Sequence, residues 1–142
     1  MTADQRVVLS IGQVSEMTDL SIHALRFFER EGLFLRNIPR SRGGQRIYDT
    51  ADVEWLILCK RFRESGMSIA AVKEFAELVR QGSGNETQRL VLLRNHERVV
   101  KEKIAKLTED LKIIHDKVII YESHLKNGTA EHLWSPRSPR TA

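Results

Sequence analysis

The sequence predicts a predominantly α-helical protein with two short helices, a small β-wing, two further helices and a long C-terminal coiled-coil helix. Three observations support this prediction. Two short amphipathic segments near the start of the chain are separated by only a few residues. The pair Gly43-Gly44 precedes a short alternating segment, which favours a hairpin. Residues 87–126 contain neither proline nor glycine and repeat apolar residues in a heptad pattern.

Composition and charge limit the kind of protein this can be. Of the 142 residues, 41% are hydrophobic and 30% are charged, which is typical of one soluble domain with an extension. The formal net charge is only +4, yet residues 36–46 contain four arginines and no acidic residue. One cysteine, Cys59, cannot form an internal disulfide, and no apolar run suits a membrane span or a signal peptide. We therefore expect a cytoplasmic protein with a local basic patch and no membrane segment.

Two short helices are predicted in the N-terminal part. Residues 11–18 follow Ser10, a favourable N-cap, and place apolar side chains on one face. Residues 18–20 form the turn, and Ser21 is a favourable N-cap for the second helix. Gly32 provides the left-handed stop that ends it.

The second helix has two faces of different character. Leu25 and Phe28 lie three residues apart and predict a core-facing side, which Ile22 extends by one turn. Phe27 is compatible either with the core or with packing on a sugar–phosphate backbone. The side chains predicted to lie off the core face, where a partner can touch them, are His23, Arg26 and Phe27.

A small β-wing is predicted after the second helix. Pro39 and Gly43-Gly44 exclude helix from residues 35–44. Residues 45–48 suit a short strand with the two glycines at the hairpin tip. On such a strand Arg46 and Tyr48 share one face, and a guanidinium beside a phenol hydroxyl suits a phosphate.

Two more helices and a hinge follow the wing. Asp49 or Thr50 caps a helix whose apolar positions are Val53, Leu56, Ile57 and Phe62. Ser65-Gly66 breaks that helix, Ser68 caps the next one, and residues 82–85 form a flexible connection because they contain two glycines, a serine and an asparagine.

The C-terminal heptad pattern predicts a helix that needs a partner. About 40 residues at ~1.5 Å each give a length of about 60 Å, and a lone helix of that kind cannot bury its apolar stripe. The nearest candidate partner is the same helix of a second copy, with Glu97 as a polar interruption that sets register. The predicted dimerisation seam consists of Leu90, Leu93, Val100, Ile104, Leu107, Leu111, Ile114, Val118, Tyr121 and Leu125.

The short helix pair followed by a basic wing predicts a winged helix-turn-helix that binds double-stranded DNA. In such motifs the second helix enters the major groove, and basic side chains reach the phosphates. His23 lies in the first turn, which reads base edges, although it is equally compatible with a plain surface position. A generic helical hairpin with a solvated basic loop is the alternative. The residues predicted to face DNA are Ser21, His23, Arg26, Phe27, Arg36, Arg40, Arg42, Arg46 and Tyr48.

Cys59 has two interpretations. The histidines and the other reactive side chains do not form a recognisable catalytic or metal-binding motif. A free cysteine on an amphipathic helix is often a core residue. The alternative is a sensor of electrophiles, because Lys60, Arg61 and Arg63 could lower the pKa of the thiol. The histidines lack the spacing of a metal site, and no phosphate loop, nucleophile elbow or other catalytic constellation occurs. We therefore expect neither an enzyme nor a cofactor or metal site.

The chain resembles the MerR family of bacterial transcription regulators. The matching segments are SIGQVSEMTDLS, IHALRFFEREGL, GGQRIYDTADVEWL and ESGMSIAAVKEF, and with the long helix the match covers about residues 9–126. The resemblance implies a homodimer joined by an antiparallel coiled coil, bound to a pseudo-palindromic operator in a promoter. It also implies that an effector makes the dimer distort the DNA and realign the promoter for RNA polymerase.

Two departures from the family pattern affect the DNA-facing residues. The family's Leu-Arg-Tyr-Tyr-Glu appears here as Leu-Arg-Phe-Phe-Glu at 25–29, so Arg26 carries over but Phe27 lacks the hydroxyl. The family's Gly-Tyr-Arg-x-Tyr appears as Gly-Gln-Arg-Ile-Tyr at 44–48, so Arg46 and Tyr48 carry over while the aromatic residue at 45 does not.

The effector is not identified by the resemblance. The cysteines of metal-sensing and iron–sulfur members are missing here, and only a short segment follows the long helix. The short electrophile-responsive branch has a cysteine on the helix after the wing, but Cys59 lies about two positions before it, where the family residue aligns with Arg61. Two positions rotate a side chain by about 200° around the helix.

Four segments are predicted from these observations. They are a winged helix-turn-helix domain with its following helix pair at 1–82, a hinge at 83–86, the dimerisation helix at 87–126 and a mobile tail at 127–142. The main rival to a regulator is a structural or adaptor protein whose coiled coil is its purpose, and which binds no DNA specifically.

Overall fold

The computed structural model describes residues 7–136 and is mostly helical. The chain divides into two compact units, Met1–Glu97 and Arg98–Ala142, with the division inside the longest helix. None of the helices in the described part is long and apolar enough to cross a membrane. The helices are α1 Ile11–Thr18, α2 Ile22–Arg30, α3 Thr50–Glu64, α4 Ile69–Arg80 and α5 Glu86–Asn127, followed by a short 3-10 turn at Ala130–His132.

The helices begin where the sequence places capping side chains. Ser10 accepts a hydrogen bond from the Gln13 amide, and the Gln13 side chain accepts one from the Ser10 amide. Ser21 and Ser68 cap α2 and α4 in the predicted way. For α3 the cap is Asp49, the first of the two candidates. Because each cap satisfies an amide that the helix leaves without a partner, these starts are fixed locally.

The first unit is organised around one hydrophobic core beneath α1 to α4. The Trp55 indole donates a hydrogen bond to the Leu33 carbonyl at 2.7 Å and its ring stacks on Phe75, with 6.0 Å between centroids. The core thus ties α3 and α4 to the loop after α2. The buried apolar residues are Leu9, Val14, Leu25, Phe28, Leu33, Phe34, Ile38, Tyr48, Val53, Trp55, Leu56, Cys59, Met67, Val72, Phe75 and Ala76.

Two aliphatic residues assigned to the core by periodicity are exposed instead. Ile22 keeps 39% of its surface accessible and Ile57 keeps 42%. Ile22 is the first residue of α2, and the buried residues of this helix, Leu25 and Phe28, lie in its later turns. Ile57 follows the fully buried Leu56 and is therefore turned to the outer side of α3.

The predicted strand of the β-wing does not form in the described chain, and a short hairpin with isolated bridges stands in its place. One bridge joins Arg40 to Arg46, and Gly44 donates a hydrogen bond to the Ser41 carbonyl at 2.9 Å. Arg42 and Gly43 are therefore the tip, whereas Gly44 follows it with a φ of 80°. Glycine suits that position because it adopts positive φ without a steric penalty. The tip lies one residue earlier than predicted.

The hairpin remains short because its C-terminal end pairs with another segment. Tyr48 exchanges two backbone hydrogen bonds with Leu9, at 2.8 and 2.9 Å. On the other side Pro39 has no amide hydrogen to extend a ladder. The segment before α1 thus anchors the end of the hairpin to the core.

The first unit continues past the predicted hinge at 83–86. Leu92 and Leu93, which lie on α5, pack against the core of this unit. The imidazole of His96 lies 2.7 Å from the Ser65 hydroxyl. Leu93, predicted for the dimerisation seam, therefore contacts its own unit, and the compact unit extends to Glu97.

The second unit consists of the rest of α5 and a short C-terminal segment. None of its described residues is buried. Gly128, with a φ of 69°, ends the helix, and the Thr129 amide donates to the His124 carbonyl at 2.9 Å. Lys117 lies over the Trp134 ring at 5.9 Å, so the start of the predicted tail returns to α5. Residues 137–142 of that tail lie outside the described part.

Candidate nucleic-acid interface

The outer face of α2 presents two polar side chains without partners. His23 and Arg26 are exposed, and neither forms a hydrogen bond or ion pair within the described part of the chain. Leu25 and Phe28 hold the opposite face in the core. Since the inner face fixes the helix, the outer face offers an imidazole and a guanidinium in a defined orientation. Ser21 shares this end of the helix, but its hydroxyl accepts a hydrogen bond from the Ala24 amide and serves as the cap.

Ile22 is a candidate interface residue that periodicity assigned to the core. It is exposed beside His23 and lies four residues before Arg26, so the three side chains occupy one region of the surface. An aliphatic group on a groove-facing helix can contact the methyl group of thymine. Its i to i+4 relation to Arg26 was the sequence signal that could have identified it.

Phe27 is half-buried rather than free. Its ring packs edge-on against Phe28, with 6.4 Å between centroids, and the Arg30 guanidinium lies 5.9 Å from its centre. The exposed edge can pack against a sugar, which is one of the two predicted roles.

The hairpin arginines differ in how much of their charge is available. Arg40 and Arg46 form ion pairs with Glu29 of α2, at 2.5 and 2.7 Å. Arg42 at the tip is exposed and has no ion-pair partner in residues 7–136. The sequence assigned all three arginines to phosphates, and it did not reveal the role of Glu29 because this carboxylate lies on another element.

Arg36 is also engaged, by acidic groups at the start of α3. Its Nε donates to Oδ1 of Asp52 at 3.1 Å and its Nη2 donates to Oδ2 at 2.6 Å, with Asp49 at 3.5 Å. The hydrogen bonds from this guanidinium to Asp52 raise the pKa of Arg36. The side chain anchors the loop before the hairpin to α3, so its contribution to phosphate attraction is reduced.

The prediction that Tyr48 shares an exposed face with Arg46 is wrong. Tyr48 is 0% exposed, and its ring lies 5.9 Å from that of Phe34. Burial raises the pKa of its phenol. Its hydroxyl has no hydrogen-bond partner and cannot reach a phosphate in this conformation. The cause is the backbone pairing with Leu9, which turns Tyr48 toward the core.

The activation of the Cys59 thiol, one of its two interpretations, is not supported by its surroundings. The side chain is fully buried, and burial raises the pKa of the thiol to about 12. Lys60 does not offset this, because its ammonium donates to the Thr18 carbonyl at 3.1 Å. Arg63 donates to the Met67 carbonyl at 2.5 Å. Of the two interpretations, the structure supports the core residue. No cluster of His, Cys, Asp or Glu that could hold a metal ion occurs among residues 7–136.

The predicted seam residues of the second unit form an apolar stripe on α5 that is exposed apart from the half-buried Val100. Leu111, for example, is 64% exposed, although aliphatic residues are usually buried. The members of the stripe in this unit are Val100, Ile104, Leu107, Leu111, Ile114, Val118, Tyr121 and Leu125.

Comparisons with known proteins agree with this geometry. A sequence profile described as MerR HTH family regulatory protein matches residues 9–78. An uncharacterised HTH-type transcriptional regulator of Haemophilus influenzae is 32% identical over 130 residues, covering 92% of this chain and 96% of the relative. The HTH-type transcriptional regulator AdhR of Bacillus subtilis is 31% identical over 94 residues, or 66% of each chain.

Two solved structures are similar over most of the chain. One is HiNmlR, a MerR family regulator lacking the sensor domain, bound to promoter DNA. Its TM-score is 0.79 at 29% identity, covering 94% of this chain and 100% of that chain. The other is a putative MerR family transcriptional regulator from Listeria monocytogenes, with a TM-score of 0.79 at 29% identity, covering 87% and 92%.

Proposed function

This chain belongs to the MerR family of helix-turn-helix regulatory proteins, and on that premise we propose that it binds promoter DNA as a homodimer and alters transcription by distorting that DNA. The observation that carries the proposal is the unpaired outer face of α2. His23 and Arg26 are exposed there without partners, while Leu25 and Phe28 anchor the inner face in the core.

In the proposed complex, α2 lies in the major groove and the hairpin lies against the phosphates. The imidazole of His23 and the methyl groups of Ile22 contact base edges, since both belong to the first turn. The Arg26 guanidinium contacts a guanine or a phosphate through its planar fork. Arg42 supplies salt-sensitive attraction that does not depend on sequence.

The homodimer follows from the apolar stripe on α5. A helix with exposed Leu107, Leu111 and Leu125 leaves a large apolar surface in water, and a second copy of the same helix covers it. Two copies of α2 then face two half-sites, so the operator has two-fold symmetry. HiNmlR, which is similar over nearly the whole chain, was solved on promoter DNA, and this likeness supports the arrangement.

The regulatory step is proposed to be a change in DNA shape. A dimer that bends or untwists the spacer of a promoter changes the relative position of the elements that RNA polymerase reads. Such deformation costs about 1–10 kcal/mol, which the contacts of both α2 helices and both hairpins must offset.

The test is fluorescence anisotropy with a duplex from the promoter upstream of the gene and with a scrambled duplex, over a range of salt. His23→Ala should change base preference among operator variants. Arg42→Ala should weaken binding to both duplexes by a similar factor. The salt slope, which is the steepness with which the logarithm of affinity falls with the logarithm of salt concentration, should decrease by about one. Arg61→Ala, on the outer side of α3, removes the same charge and is the control.

Two outcomes would contradict the proposal. An unchanged base preference in His23→Ala would remove the assigned base contact. If the unmodified protein shows no salt-dependent affinity for either duplex or for pooled genomic fragments, the chain is better explained as a coiled-coil adaptor.

A further inference from the structure

Glu29 connects the last turn of α2 to the hairpin through both oxygens of its carboxylate. Oε1 accepts a hydrogen bond from Arg46 Nε at 2.7 Å, and Oε2 accepts one from Arg40 Nη2 at 2.5 Å. The side chains of Glu29 and Arg46 are each 26% exposed and that of Arg40 is 37% exposed, so water screens these ion pairs only in part. One carboxylate of the groove-facing helix thus holds two arginines of the hairpin.

The arrangement is braced at Arg40. Besides its bond to Glu29, the guanidinium donates from Nη1 to the Ile38 carbonyl at 2.8 Å. Burial alone would raise the pKa of Glu29, but the hydrogen bonds from Arg40 and Arg46 outweigh it and hold the pKa below its usual 4.5. The carboxylate is therefore ionised at neutral pH and cancels one of the two positive charges.

We propose that Glu29 is a specificity-determining positioning residue, which fixes the hairpin relative to α2 and withholds Arg40 and Arg46 from indiscriminate phosphate binding. The inference rests on the proposed function, since it concerns how this protein selects among DNA sequences.

The physical reason lies in the donors that remain. A guanidinium has five N–H groups. Arg46 gives only its Nε to Glu29, so its terminal nitrogens remain available as donors. DNA whose backbone follows the surface set by α2 and the hairpin can accept those donors. DNA that does not follow this surface must break the ion pairs or bring its phosphates close to a carboxylate, and both cost free energy.

Glu31 offers a matched control on the same end of α2. It is the C-cap residue and forms an ion pair with Lys73 of α4 at 3.2 Å. Glu31→Gln therefore changes the net charge by the same amount as Glu29→Gln, two residues away, without touching the hairpin arginines. A general increase in positive charge affects both variants equally, whereas the proposed role belongs to Glu29 alone.

The experiment measures anisotropy for the unmodified protein, Glu29→Gln and Glu31→Gln, with promoter and scrambled duplexes between about 50 and 200 mM salt. We expect Glu29→Gln to bind the scrambled duplex roughly 3–10-fold more tightly at low salt, with a slope steeper by about one to two. The ratio of promoter to scrambled affinity should fall about tenfold. Glu31→Gln should keep the ratio within about twofold of the unmodified protein and leave the salt slope unchanged.

A structural role alone gives a different result. If Glu29→Gln weakens binding to both duplexes by the same factor and leaves the salt slope unchanged, Glu29 only stabilises the fold and the inference is wrong.

A double variant without the two arginines provides a further control. In an Arg40→Gln/Arg46→Gln background, Glu29→Gln should no longer make the salt slope steeper. A full effect in that background would also overturn the proposal. Should Glu29→Gln fail to fold in a thermal melt, Glu29→Asp keeps the charge but shortens the reach, and should shift the ratio in the same direction.

The test separates this inference from the proposed function. If the unmodified protein prefers its promoter duplex but Glu29→Gln behaves like Glu31→Gln, only the role of Glu29 is refuted. If the unmodified protein shows neither promoter preference nor salt dependence, the proposed function itself is refuted.

Discussion

The two units of the chain use apolar residues in opposite ways. Residues 9–97 enclose a core in which Val14, Leu25 and Leu56 are fully buried. In the second unit, the described residues 98–136 include none that is buried, although aliphatic side chains recur along α5. The first unit can satisfy its hydrophobic surface within one chain, and the second needs a partner to do so.

The change occurs within one continuous helix. At its start, Leu92 and Leu93 pack on the core and His96 bonds to Ser65. Beyond Glu97, the same helix carries its apolar stripe in water. Secondary structure alone therefore does not define the two units. The start of α5 packs on the core of the first unit, whereas the rest of the helix does not.

The largest expected effect concerns the proposed partner of the second unit. Leu111→Glu places a charge in the middle of the stripe, twice in each dimer. Burying unpaired charge costs several kcal/mol, so the dissociation constant should rise at least about 100-fold. Sedimentation velocity at micromolar concentration measures it. Lys112→Glu adds negative charge away from the stripe and is the control. A Leu111→Glu protein that stays dimeric would show that the seam is misassigned.

The next effect belongs to the core of the first unit. Leu56→Ala removes a fully buried side chain and should lower the free energy of unfolding by about 2–5 kcal/mol. Ile57→Ala, at the adjacent exposed position, should cost less than about 1 kcal/mol. Urea denaturation followed by tryptophan fluorescence, in a Trp134→Phe background that leaves only the signal of Trp55, reports on this unit. Similar losses in the two variants would mean that Ile57 is covered, most simply by a second copy.

Thiol chemistry provides a sharper contrast between the units. Cys59 is buried and burial raises its pKa to about 12, so a thiol reagent at neutral pH should label the folded protein at least about 100-fold more slowly than unfolded protein. A Cys59→Ser/Glu109→Cys protein carries its thiol on exposed α5 and should label rapidly. Rapid labelling of native Cys59 would restore the sensor hypothesis.

The smallest expected effect tests the correction at Tyr48. Its hydroxyl is buried without a hydrogen-bond partner, so Tyr48→Phe should leave stability unchanged or raise it by up to about 1 kcal/mol. DNA affinity and its salt slope should not change. A measurable loss of slope in this variant would mean that the hydroxyl reaches a phosphate when DNA is bound.

The sequence predicted much of the fold because many of its signals are local. The N-caps Ser10, Ser21 and Ser68 and the stop at Gly32 each act on amides or carbonyls within a few residues. The hairpin was predicted in the right place. Its tip lies one residue earlier than predicted, and it contains no strand. Neither feature could be read from local spacing, because Tyr48 pairs with the distant Leu9.

The candidate site was predicted less completely. Arg26 and Arg42 lie exposed, as expected. The pairing of Arg40 and Arg46 could not be anticipated from their neighbours, because Glu29 lies 11 and 17 residues away along the chain. Clustered arginines show where basic charge accumulates, but not how much of it remains free.

The sequence by itself determined the helices, their caps, the basic hairpin and the heptad stripe, since each depends on spacing over one or two turns. Tertiary structure decided that Ile22 faces water, that Tyr48 and Cys59 belong to the core, and that Glu29 restrains the hairpin. These outcomes depend on which distant elements meet. Burial and ion pairing are properties of the whole packed unit, so local spacing does not specify them.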